Sequence, residues 1–99
     1  MKEKVILISI DGMRPDGFLQ CGHPFVKQML EQFSFCLQAR SVVPPVTLSC
    51  HTSIFYGVEP ARHGITTNQY HPPVRPILAL AEQLEAAGSI NAAFYNWEP

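Results

Sequence analysis

The sequence has little charge and no long hydrophobic run. Charged residues make up 15% of its 99 residues, and the formal net charge at pH 7 is −1. This balance provides no electrostatic basis for binding nucleic acid or an anionic membrane surface. No hydrophobic run approaches the roughly 20 residues that a membrane-spanning helix requires. We therefore expect a globular protein that binds neither nucleic acid nor membrane.

Cysteine is scarce, and its spacing argues against two kinds of site. Cys21, Cys36 and Cys50 are odd in number, lie far apart and form no Cys-x-x-Cys pair. This pattern fits reduced thiols better than a disulfide framework or a zinc knuckle. Residues 1–4 mix lysine with an acidic residue and lead into a short hydrophobic segment that ends at Asp11, unlike a secretory signal. We therefore expect a cytoplasmic protein.

What the sequence does contain is an alternation of hydrophobic segments and turn residues. The segments that predict β-strands are residues 4–10, 37–43 and 90–97. The segments whose hydrophobic residues recur at helical spacing are 23–35, 47–57 and 77–87. A long loop is predicted at residues 58–76.

The order β-α-β-α-α-β predicts an α/β protein with a mainly parallel sheet and flanking helices. The third predicted strand is followed almost at once by the last residue, which leaves little to cover the far edge of the sheet. We therefore expect these residues to form the front part of a larger α/β fold.

Two residues stand where such a fold places ligands. Asp11 directly follows the first predicted strand, and parallel sheets bind ligands outside the carboxyl ends of their strands. Thr47 stands where a helix is predicted to begin. A threonine there can cap the helix through its side-chain oxygen. It can also act as a nucleophile, because a helix N-terminus favours an alkoxide or a bound phosphate. Its spacing alone leaves both roles open.

Three stretches form a combined pattern: Ile8-Ser9-Ile10-Asp11-Gly12-Met13-Arg14-Pro15-Asp16, then Pro44-x-x-Thr47-x-x-x-His51-x-Ser53-Ile54-x-x-Gly57-x-x-Pro60-x-x-His63-Gly64-Ile65, then Asn68. Together they resemble the type I phosphodiesterase/nucleotide pyrophosphatase family of the alkaline phosphatase superfamily. The resemblance extends over nearly the whole chain. It implies an alkaline-phosphatase-like fold, of which residues 1–99 would be the N-terminal portion of a single catalytic domain.

The resemblance also implies roles for single residues. Asp11 matches an aspartate that binds one of two divalent metal ions, expected to be Zn²⁺. Thr47 matches the nucleophile, which contacts that ion and forms a phosphothreonine intermediate. Asn68 matches an asparagine that donates a hydrogen bond to a phosphate oxygen. The implied substrate is a small phosphate ester or a nucleotide.

The chain departs from the family pattern at the metal site. Two zinc ions require roughly six to eight ligand positions, and only Asp11 and Thr47 match family ligands here. The remaining aspartate and histidine ligands of the family lie further along its chain. The chain's four histidines do not match them: His23, His51, His63 and His71. We therefore expect these 99 residues to be inactive by themselves.

The chain also departs from the family around the nucleophile. Leu48 stands where nucleotide-cleaving members often have phenylalanine, which puts a nucleotide preference in doubt. Ser49 and Cys50 stand where proline and asparagine are common. Leu48 and Tyr70 are weak candidates for the substrate pocket. Neither the substrate nor the oligomeric state follows from the sequence.

Several alternatives stay open or fail at this stage. The expected activity is zinc-dependent hydrolysis of phosphodiester or pyrophosphate bonds. A truncated, non-catalytic module of that fold and a C–P bond hydrolase of the phosphonoacetate hydrolase type remain open. A sulfatase would require Cys or Ser in place of Thr47 and Arg in place of His51. A haloacid-dehalogenase-type phosphatase would require Asp-x-Asp, where this chain has Ser9 and Asp11.

Some polar residues of the pattern have ordinary structural interpretations. Asp16 is expected to make hydrogen bonds within its own loop and Arg14 to be solvated or paired with it. His51 is expected to make a structural hydrogen bond rather than act as a general base. His63 and Gly64 are expected to form a turn rather than a metal ligand.

Overall fold

The structure is a computed structural model, and it describes residues 3–97. The chain divides into two compact units, Met1–Ala39 and Arg40–Pro99. The helices of the first unit are α1 Pro15–Gln20 and α2 Pro24–Gln32. The helices of the second unit are α3 Thr47–Tyr56, α4 Pro60–His63 and α5 Leu80–Ala86.

The prediction of a mainly parallel α/β sheet is wrong. No residue from 3 to 97 lies in a β-strand, and residues 4–10, 37–43 and 90–97 are irregular or extended without strand pairing. Val5 is 87% exposed and Ile90 is 99% exposed. A hydrophobic, β-branched segment becomes a strand only when a second segment supplies the hydrogen bonds of a ladder. The hydrophobic pattern of a segment indicates that its burial would be favourable. It does not indicate which second segment, if any, will pair with it.

Within residues 3–39 the first unit has two short helices, and each begins at a proline. Pro15 and Pro24 occupy the first helical turn, where a missing N–H costs nothing. Arg14 and Asp16 form a two-point ion pair at 3.0 and 2.9 Å, so pairing is the one of the two outcomes expected for Arg14 that the structure shows. The His23 side chain accepts a hydrogen bond from the Phe25 N–H at 3.0 Å and thereby caps α2. The helix predicted over residues 23–35 is therefore confirmed, with slightly shorter bounds.

The second unit is organised around α3, which contacts both α4 and α5. Gly57 ends α3 in the left-handed conformation with φ 70°, as the sequence predicts. Gly64 ends α4 in the same way with φ 78°. The helix α4 lies within the stretch that was expected to be a loop. The helix predicted over 77–87 is confirmed as α5, with shorter bounds.

The buried centre of the described chain is small and mostly polar. Ile65 is its buried hydrophobic residue within residues 3–97, and the buried polar residues are Ser49, Thr52 and His63. The polar three belong to α3 and α4, so the most enclosed part of the molecule lies where these two helices meet. From residue 3 to residue 97, no helix has the length and hydrophobicity to cross a membrane.

Candidate functional site at the start of helix α3

Thr47 is the first residue of α3 and does not act as its cap. The cap position belongs to Val46, whose backbone is extended, and no side chain there makes a capping hydrogen bond. Thr47 itself is half-buried. Of the two roles that the sequence leaves open for Thr47, helix capping is therefore wrong. The nucleophile role stays a prediction.

A residue from a distant loop satisfies the first turn of α3. The Leu48 N–H donates a hydrogen bond to Asn68 Oδ1 at 3.1 Å, across 20 positions of sequence. The N–H groups of a first helical turn have no partner inside the helix, so an outside acceptor stabilises the turn. This contact brings together three of the predicted site residues: Thr47, its neighbour Leu48, and Asn68. This hydrogen bond uses the side-chain carbonyl oxygen of Asn68, so the two N–H bonds of the same side-chain amide take no part in it.

A buried histidine makes a second contact with α3. His63 is 0% exposed. Its Nδ1 accepts a hydrogen bond from the Ile65 N–H at 3.0 Å, and its Nε2 lies 2.9 Å from Ser53 Oγ. Both ring nitrogens therefore have partners within the protein. His63 is the last residue of α4 and Gly64 follows it as the C-cap, so the expected turn is present at this point.

The hydrogen bonds of His63 determine its tautomer. A nitrogen that accepts a hydrogen bond carries no proton, so neutral His63 carries its proton on Nε2 and donates it to Ser53 Oγ. A general base for Ser53 would require the opposite, an unprotonated Nε2. The Ser53–His63 contact is therefore structural and does not activate a serine nucleophile.

Burial lowers the pKa of His63 below the usual value for histidine. An interaction with the Ser49 backbone opposes this effect, and the nearby His71 adds to it. The neutral form that both hydrogen bonds require is therefore the form that the surroundings favour.

The two contacts define the course of the chain beside α3. His63 contacts Ser53 and Asn68 contacts Leu48, so residues 63–68 run along α3 in the direction opposite to the helix. We refer to residues 63–68 as the return segment. Near its end, the Gln69 N–H donates to Thr67 Oγ at 3.2 Å, which supports the turn that follows Asn68.

Tyr70, a weak pocket candidate, lies near the other end of α3. Burial raises the pKa of Tyr56, and the nearby Tyr70 and Glu82 raise it further. At a rise of 1.5 Å per residue, Tyr56 is about 13 Å along the helix from Thr47. Leu48 is half-buried at the first turn. The pocket roles of Leu48 and Tyr70 stay predictions.

Asp11 belongs to the first unit, where it is exposed and opens the turn that continues with Gly12. Gly12 has φ 73°, a backbone conformation that glycine adopts without strain. Within residues 3–97, no group of three or more His, Cys, Asp or Glu side chains could hold a metal ion. The metal-ligand role of Asp11 stays a prediction.

Sequence reasoning did not identify the contacts made by Ser53 and His63. Both residues stand in the quoted pattern, as Ser53-Ile54 and His63-Gly64-Ile65, and that joint occurrence was the one signal that could have connected them.

For His51, the structure shows an edge-to-face ring contact with Phe55 at 6.5 Å.

Comparison with known proteins supports the pattern read from the sequence. The sequence model of the family described as type I phosphodiesterase / nucleotide pyrophosphatase matches residues 5–85. The match includes Asp11, Thr47, the return segment and Asn68. No curated protein and no solved structure is significantly similar to the chain.

Proposed function

The chain belongs to the type I phosphodiesterase / nucleotide pyrophosphatase family, and on this basis we propose that it carries the nucleophile and one phosphate-binding residue of a phosphodiester or pyrophosphate hydrolase. The observation that carries the proposal is the hydrogen bond between the Leu48 N–H and Asn68 Oδ1. It holds the side chain of Asn68 against Leu48, the residue that directly follows Thr47.

Thr47 is the proposed nucleophile. Its Oγ forms a bond to phosphorus while the bond from phosphorus to the leaving oxygen breaks, and the hydroxyl proton passes through solvent to the leaving oxygen. Water then attacks the phosphothreonine, which releases the phosphate product and restores the hydroxyl of Thr47. The first turn of α3 supports this chemistry, because the positive end of the helix dipole stabilises negative charge on phosphate oxygens.

Asn68 is the proposed phosphate-binding residue. Its carbonyl oxygen is held by Leu48, which orients the rest of the amide relative to the helix. The two N–H bonds of that amide are donors of the kind that phosphate oxygens accept. Fixing such a donor before the substrate arrives reduces the reorganisation required during the reaction.

The donors within residues 3–97 do not fit a complete two-zinc centre. Asp11 and Thr47 are two of the roughly six to eight ligand positions required, and no cluster of three ligating side chains exists in the part of the chain that the structure describes. The proposed steps therefore involve only protein and substrate groups. We expect this chain by itself not to hydrolyse bis-p-nitrophenyl phosphate, even with added zinc.

Phosphate binding tests the proposal without requiring turnover. Inorganic phosphate is titrated into the chain while the Leu48 backbone amide and the Asn68 side-chain amide are followed by NMR. We expect saturable shifts at both amides. Both shifts should be lost in Thr47→Val, and the Leu48 shift should be lost in Asn68→Ala, which has no side-chain amide to follow. Thr66→Val, an exposed threonine in the same unit, is the matched control and should retain them. If phosphate moves neither amide in the wild-type chain, the proposal is wrong.

The alternatives predict different results in the same experiment. A non-catalytic module predicts no phosphate binding at α3. A C–P bond hydrolase predicts that phosphonoacetate shifts the two amides at lower concentration than phosphate does. Zinc-dependent turnover that disappears in Thr47→Ala would mean that the site assembles after all, and our expectation of an inactive chain would be wrong.

A further inference from the structure

The return segment is held at both of its ends. At one end, His63 is fully buried and contacts Ser53 of α3. At the other end, Asn68 contacts Leu48 in the first turn of the same helix. Between them, the Ile65 N–H donates back to the His63 ring, and Ile65 is fully buried. His63 therefore connects α3 to the start of the segment that ends at Asn68.

We propose that His63 is a positioning residue that holds Asn68 against the first turn of α3. The proposal rests on the proposed function in so far as it gives Asn68 a role toward phosphate. One ring nitrogen binds the helix and the other binds the return segment, so the imidazole fixes where the segment starts. Only four residues separate His63 from Asn68, which leaves the asparagine little freedom once that start is fixed.

The imidazole of His63 can make both of its hydrogen bonds only in its neutral form. Neutral His63 accepts from the Ile65 N–H and donates to Ser53 Oγ, so both contacts form at once. Protonated His63 would have an N–H on both nitrogens, and its Nδ1–H would oppose the Ile65 N–H. The contact with the return segment would then be lost.

The groups that face His63 favour the neutral form. Ser49 and Ser53 face it from α3, and neither is charged at any ordinary pH. A cavity beside His63 is lined by Arg62, His71 and Arg75, whose charge when protonated is positive. The Arg62 guanidinium donates to the Arg75 backbone oxygen at 2.9 Å, which holds it in place. Burial lowers the pKa of His63 and the nearby His71 lowers it further, so the protonated form of His63 is disfavoured.

Variants that remove one contact at a time test the proposal. His63→Asn keeps an acceptor near the position of Nδ1 and loses the contact with Ser53. Ser53→Ala loses the same contact from the side of α3 and leaves the imidazole intact. In both, we expect hydrogen exchange of the Leu48 amide to become at least about tenfold faster, whereas the Ile54 amide in mid-helix changes much less.

A control distinguishes positioning from general loss of stability. Leu84→Ala destabilises α5, which contacts α3, without altering any residue of the return segment. We expect it to change the exchange of Leu48 and Ile54 by similar factors. If Ser53→Ala behaves like Leu84→Ala, or leaves Leu48 exchange unchanged, the proposal is wrong. Should His63→Asn fail to fold, Ser53→Ala still decides.

Two further measurements separate this proposal from the proposed function. In the wild-type chain, ring-nitrogen chemical shifts should report an unprotonated Nδ1 and a protonated Nε2 near neutral pH. On acidification, the Leu48 and Asn68 amide signals should move together with the His63 ring signals, and in His63→Asn this movement should be absent. Neither measurement requires phosphate. Failure of phosphate to bind the wild-type chain would contradict the proposed function alone, whereas the opposite tautomer would contradict the positioning role alone.

Discussion

Hydrophobicity and burial are related in opposite ways in two regions of the molecule. One region is α3 with the return segment, and the other is the segment at residues 4–10. Around α3, the fully buried residues include a serine and a histidine. In residues 4–10, Ile6 and Ile8 are 86% and 75% exposed although the segment is almost entirely hydrophobic. Burial in the described chain therefore follows the presence of a nearby partner rather than the hydrophobicity of a segment.

The distance along the sequence explains this difference. The partners of α3 lie close to it: Ser53 and His63 are 10 positions apart, and Leu48 and Asn68 are 20 apart. A short loop closes at a modest entropic cost, and the hydrogen bonds offset that cost. A strand at residues 4–10 requires a second strand to pair with, and residues 3–97 form none.

Replacement of His63 should cause the largest loss of stability in the buried region around α3. His63→Ala leaves the buried Ile65 N–H without its acceptor and opens a cavity, so we expect a loss of about 2–4 kcal/mol in the free energy of unfolding. Urea denaturation followed by circular dichroism measures it. His23→Ala removes a cap in the first unit and should cost about 0.5–1 kcal/mol. Equal losses in the free energy of unfolding in the two variants would contradict a larger contribution from the buried His63 than from the cap of α2.

Acid should weaken the same region. The pKa of His63 is lowered in the folded protein, so the unfolded chain binds more protons in mildly acidic solution. The contribution of His63 is complete above its unfolded pKa of about 6.5 and is lost as the pH falls through the folded pKa, by at most about 1.4 kcal/mol per pH unit. Urea denaturation at about pH 7.5, 6.5 and 5.5 tests this. His63→Asn is the control, and an equally steep decline in that variant would assign the effect to other groups.

The left-handed glycines that end α3 and α4 provide a smaller test. An alanine at either position is strained by about 1 kcal/mol because of its positive φ. An alanine Cβ at Gly64 would lie 3.5 Å from His71 Cε1, whereas at Gly57 nothing lies within 4 Å. Because 3.5 Å is an ordinary van der Waals distance, Gly64→Ala and Gly57→Ala should destabilise the protein by similar amounts in urea denaturation. Clearly unequal effects would contradict backbone strain as their common cause.

The smallest change in stability is expected for a substitution in the exposed segment at residues 4–10. Ile6→Thr replaces a hydrophobic residue that is 86% exposed, so the free energy of unfolding should change by less than about 0.5 kcal/mol. Ile65→Thr is the matched substitution at a fully buried position and should cost several times more. A large loss from Ile6→Thr would show that residues 4–10 are buried in solution.

What the sequence predicted correctly depends on signals that act over a few residues. Hydrophobic residues at helical spacing located α2, α3 and α5, and Gly57 ends α3 as expected. The family followed from a pattern that runs from Asp11 to Asn68, and the family match confirmed it.

What the sequence did not predict depends on contacts between distant residues. The sheet was inferred from hydrophobic periodicity, which reports the preference of one segment and not its pairing. The capping of Leu48 by Asn68 and the burial of His63 against Ser53 arise only when the return segment lies along α3. The assignments of Thr47 as nucleophile and of Asp11 as metal ligand remain proposals, since they concern chemistry rather than chain geometry.

The attachment of the return segment at both ends also constrains how this region can evolve. One residue inserted between Ile65 and Asn68 would displace the asparagine by about 3.3 Å, roughly the length of its hydrogen bond to Leu48. Lineages that preserve the contact should therefore tolerate substitutions at Thr66 and Thr67 more readily than any change in the number of residues there. Insertions and deletions should accumulate instead after Asn68, in the exposed stretch before α5.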